Sequence, residues 1–153
     1  SVDPEDNNAE DMWNKLISLN DQVFLVLCGH QHGQSRRVDA NRKGNAVHQI
    51  LADYQDRGQS VKDAGGPSGL RGYTGDGWLR LMQFDMGAEV PVIRVRTYST
   101  HYKAESDEVP NYSAWYRPHE QPRMSDAEFL AAEEFTLELT DFRKRFDRRA
   151  RIK

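Results

Sequence analysis

What this sequence has little of narrows the field before any motif is considered. Cysteine occurs once, at Cys28, so no disulfide closes within the chain. No apolar run approaches the roughly 20 residues that cross a bilayer, and no signal-peptide pattern opens at Ser1. A leader belonging to a longer polypeptide would lie upstream of Ser1, which leaves the compartment open between cytoplasm and export. Neither sign of charge is in large excess. The 21 Lys and Arg face 24 Asp and Glu, giving a net charge of -3 and a pI near 5.9. That balance argues against general nucleic-acid binding and shows no membrane-binding face. A mean hydropathy of -0.84 is low for this length and implies long surface loops, or a sheet face meant for residues elsewhere. Histidine is missing from the first 22 residues, and the acidic opening from Ser1 to Asp11 has no basic residue. What remains, 37% hydrophobic and 29% charged residues, is enough for one domain with a core.

The most informative stretch runs from Val23 to Gly33. Val23, Phe24, Leu25, Val26, Leu27 and Cys28 form an unbroken apolar run of the kind that makes a strand covered on both faces. Cys28 reads as a small buried hydrophobe within it. Gly29 and Gly33 bracket His30, Gln31 and His32, and glycine lets backbone turn tightly beside a bound ion or ligand. In extended backbone, positions i and i+2 point the same way, so this spacing turns both imidazoles toward one site. Neutral imidazole is a common ligand for zinc, iron and manganese. Two solvated histidines in a polar turn are the competing reading. Placement favours the site, because layered α/β proteins gather functional residues at the carboxyl ends of strands. A cupin is disfavoured, since Gln34, Ser35, Arg36 and Arg37 follow where that fold wants a carboxylate.

An apolar strand leading into Gly29, His30, Gln31 and His32 resembles the last metal-binding motif of the calcineurin-like metallophosphoesterases. Similarity continues through Gly44-Asn45-Ala46-Val47, Ala52-Asp53-Tyr54-Gln55, Gly75-Asp76-Gly77-Trp78-Leu79-Arg80 and Thr97-Tyr98-Ser99. In this order the blocks resemble the C-terminal part of one bacterial branch of the family, over about residues 12 to 100. The resemblance implies a hydrolase of phosphate mono- or diesters with two divalent or trivalent transition-metal ions (Mn, Fe or Zn). It places His30 on one ion and His32 on the other, with no catalytic residue beyond these ligands. The family's earlier motifs, an Asp-x-His, a Gly-Asp-x-x-Asp, a Gly-Asn-His-Asp/Glu and a further histidine, have no counterpart here. Two imidazoles do not hold two such ions, each of which wants about four to six donors with carboxylates among them. The expectation is therefore a C-terminal piece of a phosphoesterase, inactive alone. Its partners are the phosphoester substrate and the N-terminal portion of the same domain. Unpaired sheet edges make self-association of the piece an expectation as well.

Elsewhere the organisation reads as mostly β. A short helix is expected from about Ala9 to Leu19, with Met12, Trp13, Leu16 and Ile17 on one core-facing side. Residues 34–45 read as a polar loop or hairpin tip, and Ala46–Tyr54 as a strand in which neither face is clean. Gln55 to Gly77 carries seven glycines and reads as a long loop or lid, in which Asp76 is a turn-former or approaches substrate. Trp78–Asp85 and Val92–Ser99 make an antiparallel hairpin entered through Asp76-Gly77. Tyr102, Tyr112, Trp115 and Tyr116 lie in an irregular arm, expected to pack against the missing half or to offer a stacking surface. Ser125 and Glu128 form a capping box that starts a helix at Asp126, and Phe135, Leu137 and Leu139 mark a last strand. Phe142 and Phe146 share one helical turn. The tail from Arg143 to Lys153 holds seven basic residues and reads as a solvated turn.

The fold class that follows is α/β: the C-terminal, mostly antiparallel β portion of a four-layer α/β/β/α metallophosphoesterase sandwich. Residues 1–100 are assigned to that domain, and 101–153 to an aromatic-rich arm with a short helix, a final strand and a basic tail. Two alternatives stay open. One is a non-catalytic β-rich module that binds through the aromatic arm. The other is a mononuclear centre in which Asp53 or His48 completes a site with His30 and His32. His48 otherwise reads as a core histidine, while His101 and His119 have no partner at ligand spacing.

Overall fold

A computed structural model describes residues 8–63 and 75–146. The acidic opening, most of the glycine-rich segment and the end of the basic tail lie outside the described residues. The chain is mixed α/β, and antiparallel pairing predominates. One sheet contains β1 (Leu25–Cys28), β2 (Gly33–Ala40) and β3 (Ala46–Asp53) in the spatial order β1-β3-β2. β2 and β3 form an antiparallel hairpin whose turn is held by Asn41, the side-chain oxygen of which accepts from the N–H groups of Lys43 and Asn45. β1 lies on the other side of β3 and runs parallel to it. The second sheet is built on β5 (Val92–Ser99). β4 (Trp78–Asp85) pairs with the full length of β5 on one side, while β6 (Ala104–Glu105) and β7 (Phe135–Glu138) pair with its two ends.

Helices are short. α1 (Ala9–Met12) begins with a capping box of Asn8 and Asp11 and continues as a π-helical turn, Trp13–Ile17. α2 spans Gln59–Asp63, α3 Tyr112–Glu120, α4 Asp126–Ala131 and α5 Phe142–Phe146. The two sheets meet through Ile50, Ile93, Val95, Leu137 and Leu139. A second cluster is largely aromatic, with Tyr54, Trp78, Tyr112, Tyr116 and Phe129 at its centre.

Local signals carried the elements they should. The hairpin of β4 and β5 occupies the expected residues, because Ile93, Val95 and Thr97 bury one face while Arg94 and Arg96 stay outside. Ser125 and Glu128 cap α4 reciprocally, satisfying N–H groups that the first turn leaves open. Phe142 and Phe146 close on Phe24, with ring centroids at 5.0 and 5.7 Å.

Four expectations are corrected. The apolar run 23–28 is not covered on both faces: Leu27 is 60% exposed, and Cys28 is exposed rather than a buried hydrophobe. Among the described residues nothing pairs with the outer edge of β1. The polar stretch 34–40 is a strand rather than a loop, because eight residues of backbone pairing with β3 supply what its side chains do not. Met12 and Leu16 on the first helix are half-exposed instead of core-facing. The aromatic arm is core: α3 turns Tyr112 and Tyr116 inward onto Trp78, so it is neither irregular nor a stacking surface. Burial raises the hydroxyl pKa of Tyr54, Tyr112 and Tyr116 above the usual phenolic value.

Candidate metal centre

β1 and β2 are consecutive in the chain, yet β3 separates them. Residues 29–32 must therefore cross the carboxyl end of β3, a distance of about two strand spacings, or roughly 10 Å. Four residues have length to spare for that span, but β1 and β2 run in opposite directions, so the backbone must also reverse within the crossover. Gly33 turns it at φ +95°, and a side chain there would meet the Glu120 carboxylate. The other left-handed position is His30 itself, at φ +71°, not Gly29. The pair thus sits in a bent crossover and not in extended backbone, so pleat alternation does not set the two imidazoles in line.

What fixes the turn is the end of β3. Asp53 Oδ2 accepts from the backbone N–H of His30 at 2.9 Å, while its Oδ1 accepts from the N–H of Gln55 at 3.3 Å. One carboxylate thereby ties the histidine turn to the segment that follows the strand. That segment supplies two partners of His32: Asp56 Oδ2 against Nδ1, and the Gln55 amide against Nε2. Both histidines are exposed, and both lie at the carboxyl ends of the parallel strands β1 and β3.

The segment carrying Gln55 and Asp56 is anchored from beneath by Arg57. Its side chain is 1% exposed, with the guanidinium 4.1 Å from the centroid of the Tyr54 ring. Nε and Nη2 donate to Glu120 at 2.6 and 2.5 Å, and Nη2 also reaches Glu133 at 2.8 Å. Glu133 is fully buried and accepts further bonds from Arg80 and the Thr97 hydroxyl, each at 2.8 Å, and from the Tyr54 hydroxyl at 3.0 Å. Burial alone would raise the Glu133 carboxyl, but Arg57 and then Arg80 hold it below the ordinary carboxylate value. Burial likewise works against the charge of Arg57, and Glu133, Glu120 and Tyr112 together outweigh it. Spacing alone did not reveal this network, because its members lie up to 79 residues apart in sequence.

Other candidates resolve differently. Asp76 neither approaches an open site nor serves mainly as a turn-former. It is buried and accepts from Ser60, Tyr102 and Tyr116. Arg145 is not part of a solvated tail; it is buried and clamps the carbonyls of Asp21, Val23 and Ala46. His48 faces the second sheet beside Thr136 and Leu137, and burial lowers its pKa. His101 packs edge-on to Tyr102 and His119 is exposed on α3. Among the described residues, the one group of three His, Cys, Asp or Glu side chains close enough to share an ion is Glu105, Asp107 and Glu134. Neither His30 nor His32 gathers with Asp53 or His48 into such a group. The described residues therefore close no metal centre around the pair: Asp56 orients the His32 imidazole, and Asp53 holds the backbone of His30.

The comparisons with known proteins are sparse. An uncharacterized protein, YvnB, of Bacillus subtilis (strain 168) is 35% identical over 101 residues, which is 62% of this chain. The chain spans only 7% of that relative's length. No family model matches. No solved structure matches either.

Proposed function

We propose that this chain forms the histidine edge of the metal centre of a metal-dependent phosphoesterase, a hydrolase of phosphate mono- or diesters. The supporting observation is the crossover turn, which sets His30 and His32 at the carboxyl ends of two parallel strands with Asp53 and Asp56 behind them. A carboxylate on one ring nitrogen fixes the tautomer and raises the basicity of the other, a usual arrangement behind metal-ligating histidine. Asp56 on Nδ1 prepares Nε2 of His32 as the ligand atom, and ligation there requires the Gln55 amide to turn aside. His30 is held by its backbone, so its ring remains free to orient toward an ion.

The rest of the donor set, including a bridging carboxylate, comes from the N-terminal portion of what we propose is a four-layer α/β/β/α sandwich. Two manganese, iron or zinc ions in such a centre would supply Lewis-acid activation of water and charge stabilisation at the phosphoryl oxygens. This chain's share is to hold two imidazoles in place on a turn anchored by Arg57 and Glu133.

The test is hydrolysis of p-nitrophenyl phosphate and its bis ester by the complete polypeptide, with manganese, iron or zinc added. His30→Ala and His32→Ala are each expected to lower metal-dependent turnover by at least about a hundredfold, with circular dichroism unchanged. Unchanged turnover in either variant would sink the assignment.

A further inference from the structure

We infer that the outer edge of β2 is an interface between two copies of this chain. They meet about a two-fold axis at Val38, so that the β1-β3-β2 sheet continues from one copy into the other. β2 ends that sheet, and among the described residues nothing pairs with its outer side. The hairpin fixes which backbone groups are free there. Asn41 donates its N–H to the Asn45 carbonyl, which makes those two a hydrogen-bonded pair. Such pairs alternate along an antiparallel ladder, so Asp39, Arg37 and Ser35 also turn their backbone groups toward β3. Ala40, Val38, Arg36 and Gln34 turn theirs outward. His48, opposite Val38, obeys the same alternation: its N–H points away from β2 and donates to the Phe24 carbonyl. Gln121, just past α3, covers the outward carbonyl of Gln34 at 3.2 Å. What stays open is Arg36, Val38 and Ala40, a run symmetric about Val38.

Nothing blunts this edge. Natural sheet edges are ordinarily protected by proline, by a bulge or by free charges. β2 has no proline, and its pairing with β3 runs from Gly33 to Ala40 without a bulge. Its two arginines are already engaged: Arg36 lies 4.0 Å over the Phe135 ring, and Arg37 donates to Asp39 at 2.6 and 2.7 Å. Val38 between them is 56% exposed.

The edge is complementary to itself, and that selects a second copy over a foreign strand. Two-fold rotation lays β2 antiparallel to β2. With the axis at Val38, the outward groups of Val38 meet those of Val38 in the second copy, and Arg36 meets Ala40 in both directions. Each of these pairs exchanges two N–H···O bonds. The side chains suit the same register. The two exposed valines lie side by side, and Ala40 leaves room beside the Arg36 guanidinium. On the opposite face Arg37 stands across from Asp39 of the second copy, an opposite-charge pair made twice. An axis one residue away, at Arg37, would oppose two arginines and meet backbone groups already turned toward β3.

The test is hydrogen exchange of single amides in the complete polypeptide at about 1 and about 100 μM. The N–H groups of Arg36, Val38 and Ala40 are expected to exchange at least about tenfold more slowly at the higher concentration. Two variants identify the contact. Arg37→Asp and Asp39→Arg each set like charges across the axis, so each alone is expected to lose the slowing. An equimolar mixture of the two is expected to regain it, because a mixed pair restores opposite charges. Both chains of that mixture still lack the internal bridge between positions 37 and 39, so recovery reports contact between copies. Slow exchange at both concentrations supports the inference only where the variants lose it and the mixture regains it. Fast exchange at both concentrations overturns it, as does a mixture that behaves like its components. Slow exchange that survives either substitution also overturns it, and would place another strand of the same polypeptide on this edge. None of these readouts involves metal or phosphoester, so the phosphoesterase proposal and this inference stand or fall separately.

Discussion

His30 occupies a backbone conformation that an ordinary L-residue adopts at a cost of roughly 1–2 kcal/mol, because its Cβ crowds the following carbonyl. Strain of this kind persists where surrounding bonds over-determine it, and here the bond to Asp53 does so. The cost is separable from the imidazole. His30→Gly and His30→Ala both delete the ring, yet the glycine variant is expected to be more stable than the alanine variant by about 1 kcal/mol in urea unfolding. Equal stabilities would mean that the left-handed φ is not held in solution. In the sequence Gly29 and Gly33 looked like equivalent brackets. Only Gly33 has positive φ, and the second strained position falls on a histidine, where no residue preference announces it.

At the level of elements, the segment after β3 is held by charges that are almost wholly buried. Glu133→Ala would leave the Arg57 and Arg80 guanidinium groups without their shared carboxylate, and a loss of about 3–5 kcal/mol is expected in urea unfolding. A loss below about 1 kcal/mol would show that water replaces the carboxylate. How far such features were legible depends on how local their causes are. The β4–β5 hairpin, the capping box at Ser125 and the Phe142–Phe146 turn each follow from residues within one element, and each was read correctly. β2 was not, since a polar strand is held by its partner and not by its own pattern. The exposure of β1 and the core role of Tyr112 and Tyr116 depend on neighbours far along the chain. Arg57 and Glu133 look like ordinary surface charges in any composition count. The His30–His32 pair was visible as a motif, but its support by Asp53, Asp56 and Gln55 required knowing that the turn crosses β3.

For the whole molecule, the packing of one sheet on the other makes stability depend on pH through His48. Burial disfavours its protonated form, Asp141 partly opposes that, and Arg145 adds to it. The unfolded chain then binds this proton more readily than the folded one, so the His48 contribution is intact above the ordinary value of 6.5 and declines as pH falls below it. Urea midpoints measured at pH 7.5 and 5.5 should show a drop on acidification that His48→Gln makes smaller. An identical drop in the variant would assign the effect to other groups.

The crossover turn also has a consequence for how the molecule assembles. β1 and β2 are made before the strand that comes to lie between them. The β2–β3 hairpin, closed by a short turn, forms on a scale of about 1–10 μs. β1, whose pairing with β3 spans more of the chain, is expected to dock afterwards onto the hairpin's free edge through residues 29–32. His30 takes its left-handed conformation in that last movement, when Asp53 is already fixed at the end of β3. The histidine turn is therefore expected late in the folding order, and a chain halted before that step would carry its two histidines on an undocked arm.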